Sequence, residues 1–280
     1  MTNHISKTAW YTLGVRVWDA AQPKPLCGDY LANQLVSDDS QAVWRDFQRL
    51  SRPNASNAMR HAIIDEHLQV ALNQHADARI VIIGAGFDTR AFRLHRGHWI
   101  EFDEPAIINY KNARMPAVTA PNPLERIPIE FARESLAERL TPHATCDPAW
   151  IVIEGVLMYL TKEQRRQMMI ALQSLFPQHI VICDLMRKSF CDRYSSEIHG
   201  QLMKLGAPFA DLVNAPETEF TAVGYRELSR TSIPLLAAQR GGIDISPLLI
   251  RWFLPTLRNG YSVWQFAHDG KWGNGNRSAL

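Results

Sequence analysis

The run Ile80-Val81-Ile82-Ile83-Gly84-Ala85-Gly86-Phe87-Asp88-Thr89-Arg90 decides the fold. Four β-branched residues in succession, with no polar alternation, suit a parallel strand covered on both faces. Glycines at 84 and 86 directly after it let the backbone turn sharply and come close to a ligand, because a Cβ at either position would intrude. Upstream, Ile63, Ile64, His67, Leu68, Ala71 and Leu72 recur at helical spacing, so Ala58 to Gln74 is predicted to be a helix laid on the sheet. Downstream, Trp99 to Phe102 reads as a second strand ending at Asp103, and Pro105 to Met115 as a helix with Pro in its first turn.

The alternation continues. Ile127 to Phe131 is a candidate short strand, Arg133 to Leu140 a short helix, and Trp150 to Ile153 a buried-type strand closed by Glu154-Gly155. Thr161 caps the next helix, with Gln164 completing a capping box, and the helix runs to about Leu175 before the strand His179 to Cys183. Strand and helix alternating from about Ala58 to Asp184 predict an α/β fold with a doubly wound parallel sheet. Before it, Ile5 to Ala20 and Asp29 to Leu35 read as helices of an N-terminal arm broken by Pro23 and Pro25. After it come helices within Ser189 to Leu212, late strands at Gly224 to Leu228 and Tyr261 to Phe266, and a polar tail from Lys271 to Leu280. One domain is expected over 1–280, with an arm (1–57), a ligand-binding core (58–185) and a cover with the last strands (186–280).

Composition narrows the class. With 280 residues, 46% hydrophobic and 21% charged, the chain can bury a sizeable core, which excludes disorder of the whole. Thirty Lys plus Arg against 28 Asp plus Glu leave a net charge of +2, no field for nucleic acid or an anionic membrane. Four scattered cysteines argue against a disulfide framework or a zinc knuckle. No uncharged apolar run approaches the roughly 20 residues of a membrane span, and the first residues lack a secretory pattern, so a cytoplasmic location is expected. His95 and His98 have no third ligand in view, so no metal is expected, and no Gly-x-Ser-x-Gly elbow points to hydrolysis.

Asp103 stands 17 positions after Gly86 at the end of the second strand, where this architecture places a carboxylate on ribose hydroxyls. A purely structural turn with a capping Asp is the competing reading. A dinucleotide fingerprint wants a third glycine where Thr89 stands, so a ligand with ribose but no diphosphate fits better, and a nicotinamide oxidoreductase is disfavoured. Glu154 lies at the carboxyl end of a buried strand, the edge where open α/β sheets bind ligands.

Ile83 to Leu94 resembles the signature of the leucine carboxyl methyltransferase family of S-adenosylmethionine-dependent enzymes, which includes bacterial polyketide O-methyltransferases. Three further segments agree in order: Arg60 followed by Asp65, Glu101 to Pro105 with Lys111, and Glu154-Gly155-Val156-Leu157-Met158-Tyr159-Leu160. The match covers roughly residues 6 to 185. It implies a mostly parallel seven-stranded, Rossmann-like class I methyltransferase sheet and S-adenosyl-L-methionine as cofactor. Carried over by position, it implies that Arg60 pairs with the methionine carboxylate, that Gly84, Ala85 and Gly86 line the methionine part, and that Asp103 holds the ribose. Glu154 would stand beside the amino group, and Glu130 with Phe131, where the family has an Asp-Leu pair, would contact adenine. Lys7 resembles a segment that closes over the cofactor.

Methyl transfer from a sulfonium to oxygen is an in-line displacement in which alignment matters most. No acid/base dyad is evident in the sequence, which favours an acceptor already ionised at neutral pH, a carboxylate of a small molecule, over a phenol that needs a base. Tyr159, Arg187 and His199 are the substrate-side candidates. A protein C-terminal carboxylate as acceptor and a non-catalytic cofactor-binding protein are the alternatives.

Overall fold

Seven strands form one sheet in the computed structural model, which describes residues 7–269. They are β1 (Arg79–Ile83), β2 (His98–Asp103), β3 (Leu124–Pro128), β4 (Ala149–Ile153), β5 (Gln178–Met186), β6 (Arg226–Ser232) and β7 (Tyr261–Asp269), in the order β3-β2-β1-β4-β5-β7-β6. The first five pair in parallel, and β7 runs antiparallel between β5 and β6. This is the doubly wound, mostly parallel seven-stranded sheet that the sequence predicts.

The central strand shows why its sequence has no polar position. Successive side chains of a strand point to opposite faces. Ile80 and Ile82 join Met59, Ile63, Leu68 and Leu72 of the helix Ser51–Gln74 in one apolar cluster. Val81 and Ile83 join Met169 and Leu172 of the helix Lys162–Leu175, with Phe176, in the other. Every residue from Ile80 to Ile83 is therefore buried. Thr161 closes the latter helix's capping box as expected: its hydroxyl accepts from Gln164 N, and the Gln164 side chain accepts from Thr161 N.

Several boundaries differ from the expectation. The helix before β1 starts at Ser51 rather than Ala58, because Pro53 falls in its first turn, where the missing N–H costs nothing. A helix at Asp38–Phe47 escaped the pattern, since its capping box pairs Ser37 with Ser40 rather than with Glu or Gln. The edge strand β3 ends at Pro128, with Ile129 N still donating to the Asp103 carbonyl (2.9 Å), so Glu130 and Phe131 lie outside it. The helix expected over Arg133 to Leu140 is shorter, Leu136–Leu140, capped by Ser135. Strand β6 begins two residues later than expected and continues to Ser232, with a bulge between Glu227 and Ser229.

The arm is tied to the turn after β1. Its helix Lys7–Ala20 sends Arg16 to Asp29 (2.6 Å) and to the Phe87 carbonyl (2.9 Å), while Thr89 Oγ1 donates to Asp29 (2.7 Å). Trp10 stacks on Phe87 with ring centroids 4.4 Å apart. The helices Lys188–Tyr194 and Ser196–Lys204 follow β5 where a cover is expected, the first starting one residue before the predicted stretch. Among the described residues no helix is long and apolar enough to cross a membrane. The expected polar tail, Lys271 to Leu280, lies outside the described residues.

Candidate functional site

The carboxyl ends of β1, β2 and β4 open into a cavity of about 870 Å³, within the range of ~300–1,000 Å³ usual for small-molecule clefts. Gly84 and Gly86 adopt φ of +71° and +49°, a region that side chains with a Cβ avoid. A Cβ on Gly84 would stand 2.5 Å from Val156 Cγ2, so close packing forbids it. At Gly86 the nearest atom to such a Cβ is Ala9 Cβ at 4.0 Å, so there the space is kept open rather than filled.

Asp103 closes the same turn from β2. Its Oδ2 accepts from Gly86 N (2.5 Å) and its Oδ1 from Glu104 N (2.7 Å). Burial pushes this carboxyl up to about 6, against the pull of those two N–H groups and of Lys111. The Lys111 ammonium is itself buried on Glu101 (2.6 Å), which Arg126 also contacts (2.9 Å), so this motif lysine supports the floor under Asp103.

Opposite stands a buried ionic network. Arg60 donates from Nε to Glu154 (3.1 Å), from Nη1 to Asp184 (3.2 Å) and to the Tyr261 hydroxyl (2.8 Å), and from Nη2 to Asn57 (3.3 Å). Burial alone would lower its pKa, but the Asp184 and Glu154 carboxylates hold the guanidinium charged, well above its ordinary value. Burial likewise opposes ionisation of Glu154, yet Arg90, His61 and Arg60 keep its carboxyl well below the usual range. Arg90, fully buried, binds Asp65, Asp88 and Glu154 and also reaches His61 Nδ1 (2.8 Å). Asp65 further takes Arg93 (2.8 Å), so the aspartate of the Arg60-Asp65 pair holds the scaffold rather than the cavity.

His61, Asp88 and Glu154 converge within 4.8 Å, a grouping that could suit a metal ion. The Arg90 guanidinium bonds all three, so their charge is neutralised by the protein's own cation. His95 and His98 are exposed and take no part.

Of the residues singled out from sequence, Arg60, Gly84, Ala85, Gly86, Asp103, Phe131, Glu154 and Tyr159 all line the one cavity. Glu130, Arg187, His199 and Lys7 do not. The placement of Glu130 corrects the expected adenine contact: β3 ends early, its carboxylate turns outward to Arg133 (2.9 Å), and Glu134 faces the cavity instead. Arg187 pairs with Glu217 (2.7 Å), and the His199 ring stacks on Phe209. Lys7 is exposed beside Thr8, which does reach the lining.

Asp184, Tyr261, Tyr11 and Asn57 were not expected at the site. Asp184 carried a legible signal, a carboxylate in a buried apolar strand, and it receives Gly155 N (2.6 Å) as well as Arg60. Tyr11 and Tyr261 offer no comparable pattern, since aromatic residues in an amphipathic helix or a late strand read as packing.

Residues 9–173 match the profile of the family described as leucine carboxyl methyltransferase. Over 157 residues the chain is 29% identical to the tetracenomycin polyketide synthesis O-methyltransferase TcmP of Streptomyces glaucescens, covering 50% of this chain and 56% of that protein. Over 183 residues it is 30% identical to the Streptomyces coelicolor protein SCO6443, assigned as an S-adenosyl-L-methionine-dependent methyltransferase, covering 56% and 57%. The aligned part thus spans little more than half the length of these relatives. Among solved structures, a DUF574 family protein from Streptomyces avermitilis superposes with a TM-score of 0.60 at 9% identity, covering 95% of this chain and 100% of that one. A Thermobifida fusca protein described as a methyltransferase also gives 0.60, at 12% identity over 90% and 93%. At these identities the two structures speak for the fold alone.

Proposed function

The chain belongs to the leucine carboxyl methyltransferase family, and from that premise we propose that it is an S-adenosyl-L-methionine-dependent O-methyltransferase that esterifies a carboxylate of a small molecule. The observation that carries this is the arrangement of one cavity: a glycine turn with space kept open above Gly86, a buried carboxylate at Asp103, and the Arg60/Glu154 pair across from it.

The donor set fits a phosphate-free nucleoside that carries an amino acid. Five carboxylates line the cavity, Asp88, Asp103, Glu104, Glu134 and Glu154, all on the strand-edge side, and they would repel a diphosphate. The helix after the glycine turn, Arg90–Arg93, is only four residues long, and its first N–H is taken by Asp88 (2.7 Å), so it gives a phosphate no seat. In this reading Asp103 accepts the ribose hydroxyls, Arg60 faces the methionine carboxylate and Glu154 the ammonium, and Phe131 lies against the adenine. When bound, S-adenosyl-L-methionine supplies a methyl group on a sulfonium, activated for in-line displacement.

The chain's own side chains favour a carboxylate over a hydroxyl as acceptor. Burial pushes the Tyr159 hydroxyl far above the ordinary phenol range, so it stays protonated and serves as a donor that orients an acceptor oxygen, whereas the Tyr11 hydroxyl, raised likewise, already donates to Asn54 Oδ1 (3.1 Å). His61, which also lines the cavity, has Nε2 on Arg93 (2.9 Å) and Nδ1 on Arg90 and Glu154, so both ring nitrogens are engaged by the protein's own side chains. A carboxylate, ionised at neutral pH, needs no base.

Calorimetry with S-adenosylhomocysteine and with NAD tests the cofactor. The expected result is binding of the first only, and binding of NAD alone would end the methyltransferase reading. Incubation with methyl-labelled S-adenosyl-L-methionine and a panel of apolar carboxylic acids tests the reaction. Label released as methanol by mild alkali marks an ester; label that survives alkali marks an ether and refutes the carboxyl reading.

A further inference from the structure

The cavity continues beyond the residues assigned to the cofactor into a lobe walled by the cover. Met186, Phe190, Ile198, Leu202 and Phe209 line it, and no carboxylate of the cavity comes from this side. Such a wall suits an apolar acceptor body, but it does not by itself say what else the acceptor must carry.

The cations of the lining answer that. Arg16 is held by Asp29 at 2.6 Å, and Arg60 by Glu154 and Asp184. Arg52, the remaining arginine of the lining, forms no ion pair or hydrogen bond within the described residues, and it is exposed. It stands in the first turn of the helix Ser51–Gln74, whose N-terminus has no side-chain cap and no acidic residue in its first turn, so the helix dipole adds positive potential there. Leu50, two residues before it, shares an apolar cluster with Leu202, Ile198 and Phe209, which places Arg52 where the helix meets the cover's wall.

Spacing separates this cation from the reacting centre. Arg52, Ser56 and Arg60 follow at intervals of four on one face of the helix, and all three line the cavity. At 1.5 Å per residue, Arg52 lies about 12 Å along the axis from Arg60. An anion held by Arg52 is therefore remote from the oxygen that receives the methyl group.

Resting on the cofactor reading above, we propose that Arg52 is a specificity-determining residue that holds a second acidic group of the acceptor, remote from the reacting carboxylate, so that the preferred acceptors are apolar diacids. The two acids divide the work: one is positioned for methylation near Tyr159, and the other fixes the register of the apolar body along the cover. Arginine suits the second task because its planar fork binds a carboxylate with two parallel hydrogen bonds.

The experiment uses the full chain saturated with S-adenosylhomocysteine and compares naphthalene-2,6-dicarboxylate with 2-naphthoate by calorimetry. The wild-type protein is expected to bind the diacid roughly five- to tenfold tighter, the gain from one charged pair at a partly solvated mouth. Arg52→Ala should bind both acids alike, Arg52→Lys should keep part of the preference, and Arg52→Glu should favour the monoacid. Arg52 is exposed, so these variants are expected to keep the wild-type melting temperature. A wild-type protein that takes neither acid or both equally, or an Arg52→Ala variant that keeps the preference, overturns the proposal. Failure of S-adenosylhomocysteine to bind in the first place would instead overturn the cofactor reading.

Discussion

Replacing Arg60 by Ala tests both the packing and the chemistry of the cavity. Arg60 is 4% exposed and bridges Glu154 and Asp184. Removing one partner from a buried ionic cluster costs about 3–5 kcal/mol because the remaining charges stay desolvated. Here each carboxylate keeps other partners. Glu154 retains Arg90 (2.9 Å) and His61 (3.2 Å), and Asp184 retains the Tyr261 hydroxyl (2.8 Å) and Gly155 N (2.6 Å). The lower end, about 3 kcal/mol, therefore applies. At roughly 2–4 °C per kcal/mol for a domain approaching this size, the melting temperature should fall by about 6–12 °C. Loss of a charged hydrogen bond to the methionine carboxylate should separately weaken S-adenosylhomocysteine by ~1.5–3 kcal/mol, about ten- to 150-fold. Scanning fluorimetry reads the first quantity and calorimetry below the transition the second. Arg60→Lys divides them, since it restores charge to the cluster without the planar fork. A variant that melts with the wild type would show that the cluster holds no desolvated charge, and one that melts early but binds normally would remove Arg60 from the cofactor.

Asp103 makes stability and binding depend on pH in a defined sense. Its carboxyl, lifted by burial to about 6, holds its proton more tightly folded than unfolded, so its contribution to stability is lost as pH rises from about 4 to 6. The loss is on the order of 2–3 kcal/mol. Asp29, held down to about 2 chiefly by Arg16 and Arg93 despite its burial, works the other way: its stabilisation is present above about pH 4 and is lost as pH falls toward 2. Urea denaturation of the wild type and Asp103→Asn across pH 4 to 7 isolates the first effect, and identical pH slopes would refute it. S-adenosylhomocysteine should bind the ionised form, so its affinity in the wild type should fall below pH 6; a flat profile by calorimetry counts against Asp103 as the ribose acceptor. Gly84→Ala should destabilise by about 1–3 kcal/mol, since its Cβ would meet Val156 at 2.5 Å. Gly86→Ala should cost only about 1–2 kcal/mol of backbone strain yet abolish cofactor binding by filling the space kept open there. Equal binding by wild type and Gly86→Ala would show that the ligand lies elsewhere.

What was legible in the sequence followed from short range. The apolar run Ile80–Ile83, the glycine turn after it, the capping box Thr161-Gln164 and the carboxylates Asp103 and Glu154 at strand ends each express a rule of backbone geometry spanning a few residues. Where the rule was met in an unusual form the reading slipped, as with the Ser37-Ser40 cap and with the end of β3, beyond which the Glu130 carboxylate turns to Arg133 instead of the cavity. The resemblance placed Arg60 at the site, but nothing local said that it would be buried and shared between two strands.

Its partners Asp184 and Tyr261 lie 124 and 201 residues away along the chain, and they meet only because β5 and β7 pair antiparallel with Met186 opposite Tyr261. The same holds for the isolation of Arg52. An unpaired arginine looks in sequence like any other, and only the folded chain decides that Arg16 and Arg60 find carboxylates while Arg52 does not. Secondary structure and the turn that receives a ligand are fixed by neighbours in the chain; which charges are neutralised and which stay free depends on contacts that exist only once the sheet has closed and water has been excluded from around them.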